Sequence, residues 1–169
     1  YRLSYQGIIQ HYNFFKSLKQ IFNQMTQLLL YTWDKAEELV LPIRIEVFVK
    51  EQSVPIDLEV DEYDFVAQHV VLFHDGIPIG TGRVFKKNTH EDVFYIGRLC
   101  VQKKYREMGF GQKIMNELLN YAQKNGAKVC FLHAQTASQF FYKKIGFKSS
   151  KESFMEAGIE HVLMTLTMT

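Results

Sequence analysis

Prolines and glycines are scarce in this chain of 169 residues, which has 3 of the first and 10 of the second. Such low counts exclude the composition of a disordered or low-complexity chain. Hydrophobic residues, in contrast, make up 47% of the sequence and aromatic residues 14%. This balance predicts a globular fold, and the length is typical of one domain with a hydrophobic core.

Cysteine occurs only twice, at Cys100 and Cys130, and each lies within an apolar run rather than in a Cys-x-x-Cys pair. This pattern indicates two reduced, packed thiols, as expected in a cytoplasmic protein, with a disulfide or a metal pair as the alternative. No spacing of His, Cys and Asp indicates a metal site, so none is expected.

An excess of one charge is also lacking, because 20 Lys and Arg against 18 Asp and Glu leave a net charge of +2. No basic face with interleaved aromatic residues is visible, so nucleic acid is not an expected partner. The longest apolar run, residues 28–31, is far shorter than the roughly 20 residues that cross a membrane. No signal-peptide pattern opens the chain either. We expect a cytoplasmic monomer or homodimer that does not act at a membrane.

Hydrophobic patterning divides the chain into residues 1–24, predicted as an N-terminal extension with a helical pattern, and residues 25–169, predicted as a single domain. Three strand-like runs with short connections, two of them joined at Asp75-Gly76, indicate an antiparallel meander. Two final runs that turn at Ala157-Gly158 complete a mixed, mostly antiparallel sheet flanked by helices, an α+β fold. The predicted strands are residues 26–31, 67–73, 77–85, 93–101, 129–134, 147–154 and 161–168.

Three helices are predicted between these strands. Asp34 is expected to cap the first, which Pro42 should bend or split. Its apolar residues are Ala36, Leu39, Val40, Ile43, Val47 and Phe48. The second follows Gly111 and ends at residues 125–126, and the third directs Ala137, Phe140, Phe141 and Ile145 inward. Residues 51–64 are predicted as an acidic loop.

Residues 101–111 leave a strand, pass through a basic loop and enter a helix that has two glycines in its opening turn, Gly109 and Gly111. Helix N-termini carry N–H groups without partners and a partial positive charge, and glycine lets a ligand approach the backbone. The pattern indicates a phosphate site, most naturally for a pyrophosphate. A glycine-relaxed turn with solvated lysines is the alternative. Neither a Walker loop nor a clear Gly-x-Gly-x-x-Gly turn is present.

A second motif follows at residues 133–147, where a strand leads into a helix that ends in Phe141-Tyr142-Lys143-Lys144-Ile145-Gly146-Phe147. This motif and the earlier one, with Arg106, Gly109 and Gly111, resemble in order and spacing the two motifs of the GNAT superfamily of acetyltransferases. The family usually has Asn seven residues before the Tyr, where this chain has Gln135, whose amide also forms hydrogen bonds.

Within that superfamily the chain is similar to the small bacterial ElaA-like branch, through residues 44–55, Glu59 with Asp61, and residues 154–161. The resemblance covers residues 25–168. It implies a GNAT acyl-CoA N-acyltransferase fold and transfer of an acetyl group from acetyl-CoA to a primary amine of a small molecule or peptide. A noncatalytic acyl-CoA-binding regulatory module and a longer-chain acyltransferase stay open as alternatives.

The resemblance also implies the residues that contact acetyl-CoA or coenzyme A. These are Leu99, Cys100, Val101, Arg106, Glu107, Met108, Gly109, Phe110, Gly111, Gln135, Phe141 and Tyr142. The loop amides would hold the pyrophosphate, and backbone N–H groups of a strand splayed from its neighbour would hold the thioester carbonyl.

Acetyl transfer also needs a donor to the departing thiolate and a base for the amine. Tyr142 is predicted as the donor. His133 and Glu51 are predicted as candidate bases, with a hydrogen-bonded strand histidine and a solvated acidic side chain as the respective alternatives. Arg83 and Arg98, on adjacent predicted strands, either bind an acidic substrate group or pair with carboxylates.

Overall fold

The computed structural model describes residues 26–87 and 92–168, so the helix predicted within residues 1–24 lies outside the described residues. Seven strands form one sheet in the order β1-β2-β3-β4-β5-β7-β6. Every neighbouring pair is antiparallel except β4 and β5, which are parallel. The predicted mixed, mostly antiparallel sheet is therefore confirmed. The strands are β1 Thr26–Tyr31, β2 Gln68–His74, β3 Ile77–Lys86, β4 Val93–Val101, β5 Val129–Gln135, β6 Lys148–Glu156 and β7 Ile159–Thr167.

Within residues 26–87 and 92–168, three α-helices pack on this sheet: α1 Trp33–Arg44, α2 Phe110–Lys124 and α3 Gln139–Ile145. After Arg44 the first helix continues as a π-helical segment, Ile45–Glu51. Short 3₁₀ turns occur at Ile56–Leu58, Lys103–Tyr105 and Thr136–Ser138. In the described ranges no helix combines the length and apolar character needed to cross a bilayer.

Apolar residues of α2 place the main core on one face of the sheet. Phe110, Ile114, Met115, Leu118 and Ala122 are buried there at the spacing of one helical face. They pack against buried residues of β2 to β5 and β7. The opposite face of β2 to β4 is covered by α1. Helices thus flank the sheet on both faces.

The start of α1 differs from the prediction. The helix begins at Trp33, Thr32 is its N-cap residue, and no side chain caps it. Asp34 lies inside the first turn, where its carboxylate accepts a hydrogen bond from the Thr32 hydroxyl. The prediction that Asp34 caps this helix is therefore wrong, because its carboxylate accepts a hydrogen bond from a side chain and not from a backbone N–H.

The predicted inward face of α3 is also wrong in part. Phe140 is 69% exposed and lies against Lys144, whose ammonium is 4.4 Å from the ring centroid. Ala137 is exposed in the 3₁₀ turn before the helix. Because that turn delays the α-helical phase to Gln139, the half-buried residues are Phe141, Tyr142 and Ile145.

Candidate active site

The parallel ladder between β4 and β5 is short, and this opens the sheet at the carboxyl ends of the two strands. The paired positions are Val93 with Val129, Phe94 with Cys130 and Tyr95 with Phe131. β4 continues to Val101 and β5 to Gln135, but these later residues do not pair with each other. The predicted splaying of the strand that carries Leu99, Cys100 and Val101 is therefore confirmed.

A bulge in β4 accompanies this opening. Its pairing with β3 shifts between Thr81 and Arg83, and Arg98 has a φ of 52°. A positive φ is uncommon for a residue other than glycine. Beyond the bulge, Cys100 packs against Ile43 and the π-helical segment, whereas Leu99 packs against the main core. The bulge therefore marks the point where β4 leaves its regular register next to the opening.

The loop between β4 and α2 lies at one side of the opening. Glu107 and Gly109 have φ angles of 65° and 79°, and both residues are exposed, as is Met108. Left-handed residues that alternate with others turn successive N–H groups toward one point, a geometry that binds anions. No side chain caps α2, and a Cβ placed on Gly109 would meet nothing within 4 Å. The loop therefore fits a pyrophosphate group.

The Arg106 side chain is directed away from this loop. Its Nη1 and Nη2 donate to Glu51 at 2.5 and 2.7 Å, and its Nε donates to the Val101 carbonyl at 2.9 Å. The Arg106 hydrogen bond lowers the pKa of Glu51. The roles of Arg106 and Glu51 at the site remain predictions. Their pairing makes Glu51 a weaker base, and it joins the π-helical segment to the start of the loop.

Two more hydrogen bonds connect the end of the first helix to the rim of the opening. Gln102 Nε2 donates to Glu46 at 2.7 Å on the β4 side. Gln135 Nε2 donates to Gln52 Oε1 at 2.7 Å on the β5 side. Because one segment contacts both strands beyond their last paired residues, it holds the opening at a defined width.

Tyr142 lies in α3, directly after Phe141, whose ring would touch a Cβ on Gly111 at 3.6 Å. The pKa of Tyr142 is raised to about 12, first by desolvation and second by its proximity to Cys100. Its ring packs against the core cluster that contains Val101, and Leu99 at the end of β4 packs against the same cluster. The structure thus brings Tyr142 together with the end of β4 and with the start of α2, as the predicted site requires.

His133 lies on β5 and is about half exposed, and its Nδ1 is 2.7 Å from Glu156 Oε2 on β6. The hydrogen bond from His133 lowers the pKa of Glu156. His161 on β7 is hydrogen-bonded through Nδ1 to the Ile159 carbonyl at 2.8 Å. His69, by contrast, is buried beside Asp64, whose carbonyl lies 3.0 Å from its Nε2. His69 is therefore a buried core residue, whereas the half-exposed His133 is not.

Two carboxylates of the acidic loop, Glu59 and Asp64, are buried and belong to a charge network, although most other residues of the loop are exposed. Arg44 Nε lies 2.5 Å from Glu59, and Arg44 Nη1 lies 2.8 Å from Asp64. All three of these side chains are at most 2% exposed. Three arginines and three carboxylates take part: Arg44, Arg83, Arg98, Glu59, Asp61 and Asp64.

The two strand arginines complete the network. Arg83 makes a bidentate pair with Asp61, with both distances 2.6 Å, and also contacts Asp64 at 2.7 Å. Arg98 donates to the Leu58 carbonyl at 2.9 Å and to Asp61 at 3.2 Å. Of the two interpretations of these arginines, pairing with carboxylates is the one that the structure confirms. The network fixes the loop against β3 and β4 beside the opening.

Both cysteines are buried and free, which confirms the packed-thiol prediction. Desolvation raises the pKa of the Cys100 thiol to about 12 and that of Cys130 to about 11, so neither is an activated nucleophile. Among the described residues, no group of three or more His, Cys, Asp and Glu side chains is arranged to hold a metal ion.

Comparison with known proteins agrees with this geometry. Residues 31–168 match the family model described as an acetyltransferase (GNAT) domain. The chain therefore belongs to the GNAT acetyltransferases, a family of acyl-CoA-dependent transferases. It is 40% identical over 123 residues to the uncharacterized N-acetyltransferase YjcF of Bacillus subtilis (strain 168), which covers 72% of this chain and 86% of that protein.

Solved structures define the branch within that family. Escherichia coli ElaA is 25% identical with a TM-score of 0.74, covering 83% of this chain and 99% of ElaA. An acyl-CoA N-acyltransferase from Pseudomonas aeruginosa is 28% identical with a TM-score of 0.74, covering 83% of this chain and 98% of that one. The predicted GNAT fold and the ElaA-like branch are both confirmed.

Proposed function

We propose that this protein is an N-acetyltransferase that moves an acetyl group from acetyl-CoA directly to a primary amine of a small molecule or peptide. The observation that carries the proposal is the opening between β4 and β5, which has the glycine loop on one side and Tyr142 packed against the same core as Leu99 and Val101. The name of the Pseudomonas aeruginosa neighbour, an acyl-CoA N-acyltransferase, supports an acyl-CoA as the donor.

Holding the cofactor would fall to backbone groups more than to side chains. The N–H groups at the start of α2, beside Gly109 and Gly111, suit the pyrophosphate, and the unpaired end of β4 offers N–H groups to the thioester carbonyl. Acetyl-CoA, when bound there, supplies an activated acyl group. Gln135 is the proposed side-chain donor to the pantetheine arm.

Tyr142 is proposed to stabilise the leaving sulfur as a hydrogen-bond donor. With a pKa raised to about 12 it keeps its proton at all working pH values. A thiol has a pKa near 8.5, so complete proton transfer from Tyr142 would cost roughly 5 kcal/mol. Donation without transfer avoids this cost and still favours the charge that develops on sulfur.

His133 is proposed as the base in preference to Glu51. It is about half exposed at the open side of β5, and its partner is a carboxylate. Both carboxylate oxygens of Glu51 instead accept hydrogen bonds from Arg106. An amine resembling lysine is almost fully protonated at neutral pH, so the acceptor needs a group that removes a proton before attack.

The first test is calorimetric titration of the protein with acetyl-CoA, coenzyme A and ATP, followed by an amine panel assayed for release of free thiol. Saturable binding of both CoA species, much weaker binding of ATP, and turnover with at least one primary amine support the proposal. Binding without turnover across the panel would contradict an acetyltransferase, and faster turnover with longer acyl chains would contradict the acetyl group as the preferred donor.

A further inference from the structure

A cluster of ring and carboxylate side chains lies on the part of the sheet that β5, β7 and β6 form. His133 and Phe154 make an edge-to-face contact with centroids 4.8 Å apart, and Phe154 stacks on His161 at 6.1 Å. Glu156 completes the cluster through its 2.7 Å contact with His133 Nδ1. These residues come from three strands that are adjacent in the sheet, so the arrangement depends on the fold and not on a local motif.

The Glu156 contact decides which nitrogen of the His133 ring carries the proton. An ionised carboxylate only accepts hydrogen bonds, so His133 Nδ1 must be the donor. In the neutral ring this leaves Nε2 without a proton, and Nε2 is then the atom that accepts one. The Phe154 contact fixes the ring plane from the side. Glu156 and Phe154 together therefore hold His133 in the tautomer and orientation of a base.

Other charged groups near this pair come from β4 and β7. The pKa of Glu156 is lowered, first by the hydrogen bond from His133 and also by the charges of His133, His161 and Arg98. Glu156 is therefore ionised at neutral pH, as the donor role of Nδ1 requires. Arg98 itself is held by the Leu58 carbonyl and Asp61, so it does not take Glu156 as a direct partner.

From this geometry we infer that Glu156 is the positioning residue of the base His133, an inference that rests on the proposed function. The neutral acceptor nitrogen attacks the acyl carbon, and it loses its second proton to solvent as the carbon–nitrogen bond forms and the carbon–sulfur bond breaks. His133 Nε2 accepts the proton that the acceptor ammonium loses before this attack. That proton then passes from the ring to solvent, and the released sulfur takes one from solvent. Glu156 touches neither reactant, and its effect is exerted through the tautomer and orientation of the ring.

The spectroscopic test uses the full chain labelled with ¹⁵N-histidine, with His133→Gln to assign the signals of the ring. We expect the wild type to show the Nδ1–H tautomer. Glu156→Gln should keep it, because the amide oxygen still accepts from Nδ1, and Glu156→Ala should give a mixture of the two tautomers. An Nε2–H tautomer in the wild type, or an unchanged spectrum in Glu156→Ala, would overturn the inference.

A second readout follows the carboxylate. Because His133 lowers the pKa of Glu156, replacing His133 with Gln should raise that pKa, measured by ¹³C NMR of the Glu156 carboxyl group. An unaltered Glu156 pKa would show that the two side chains do not interact in solution and would overturn the positioning role.

The kinetic test uses acetyl-CoA and the amine that the panel identifies. Glu156→Ala should lower kcat about 10-fold, less than the roughly 10²–10⁴-fold of general acid–base catalysis because the base itself remains, and leave the KM for acetyl-CoA within about twofold. Glu156→Gln should retain more activity than Glu156→Ala. Glu152→Ala is the matched control, since Glu152 is an exposed carboxylate on the same strand.

The outcomes separate this inference from the proposed function. Turnover that Glu156→Ala leaves intact would overturn the positioning role and leave the acetyltransferase proposal standing. Absence of turnover with every amine, in protein that binds coenzyme A, would overturn the acetyltransferase and with it the role of the pair in transfer, whatever the NMR spectra show of the contact.

Discussion

The Tyr142 hydroxyl illustrates how one residue's surroundings determine its chemistry. Phe141 and Phe147 contact its ring edge-to-face at 5.0 and 6.1 Å, and desolvation raises its pKa to about 12. A group this weakly acidic is a poor proton donor to a thiolate but an effective hydrogen-bond donor, because it remains protonated. Its proposed contribution is therefore electrostatic.

Replacing Tyr142 with Phe removes that donor and keeps the ring that packs in the core. We expect kcat to fall by roughly 10²-fold, the usual effect of losing one donor to developing charge, while the Kd for coenzyme A changes little. Steady-state kinetics and calorimetry measure the two effects. Tyr121→Phe, on α2, is the matched control. Unchanged turnover in Tyr142→Phe would remove this residue from the mechanism.

Gly109 and Gly111 are expected to respond differently to substitution. Gly109 has a φ of 79°, and a side chain there would project into the space proposed for the pyrophosphate. Gly109→Asn, a residue that tolerates this φ, should therefore weaken coenzyme A binding by at least 10-fold with only a small loss of stability, roughly 1 kcal/mol or less.

Gly111→Ala serves as the comparison, because its Cβ would make ordinary contact with Phe141 at 3.6 Å. It replaces a helical glycine and should stabilise the fold by up to about 1 kcal/mol, and it should weaken coenzyme A binding less than Gly109→Asn does, because alanine keeps the backbone N–H. Calorimetry and urea unfolding report both quantities. Equal affinities in Gly109→Asn and the wild type would refute the phosphate-loop assignment.

At the scale of the elements, strands were more predictable than helix faces. All seven predicted strands exist with ends that differ by at most two residues, and the β2–β3 and β6–β7 turns fall at left-handed pairs, Asp75-Gly76 and Ala157-Gly158. Alternation and turn chemistry are local, so the sequence reports them directly. The buried face of α3 depends instead on where the preceding 3₁₀ turn ends, and a shift of one residue exposes Phe140.

The approach of α2 to β3 is a further feature that no local pattern reveals. A Cβ on Gly82 would lie 2.8 Å from Leu118 Cδ1 and 3.2 Å from Ile114 Cγ2. Gly80 shows the same crowding, with Ile114 Cδ1 at 2.9 Å. Glycine at these two positions allows the helix to pack closely on the strand and so sets the position of the glycine loop at the start of the helix.

Gly82→Ala should therefore destabilise the protein by about 1–2 kcal/mol, since the added methyl group displaces side chains of a packed core. Urea unfolding gives the free energy. Gly97→Ala is the control, because its nearest neighbour would be Arg83 Nε at 3.8 Å, an ordinary contact. Equal stabilities of the two variants would show that α2 adjusts to Gly82→Ala without cost.

At the scale of the whole molecule, the buried charge network is the feature that could least be predicted from the sequence. Its partners are 15 to 39 residues apart, as in Arg44 with Glu59 and Arg98 with Glu59, so no short window of sequence contains a complete pair. A run of carboxylates ordinarily indicates a solvated loop. Here the charges of three arginines, on α1, β3 and β4, compensate the cost of burying the carboxylates. These arginines reach the carboxylates only in the folded protein.

Acid should destabilise the protein in two stages, because two buried groups of this region have lowered pKa values. Burial lowers the pKa of His69, so below about pH 6.5 the unfolded chain binds a proton that the folded one resists. The pKa of Asp64 falls from 3.8 to about 2, since its pairing with Arg44 and Arg83 outweighs its burial. Its ionised form therefore stabilises the fold above pH 3.8, and this stability, roughly 2 kcal/mol, is lost as the pH falls toward 2.

Thermal unfolding followed from pH 8 to pH 3 tests this sequence of events. We expect Tm to be nearly constant at the alkaline end, to decline from about pH 6.5 as unfolded His69 takes up its proton, and to decline more steeply below about pH 4. His69→Gln should abolish the first decline and retain the second, because the amide does not titrate in this range while Asp64 keeps its partners. A first decline that persists in His69→Gln would assign it to another group and contradict the role of this buried ring.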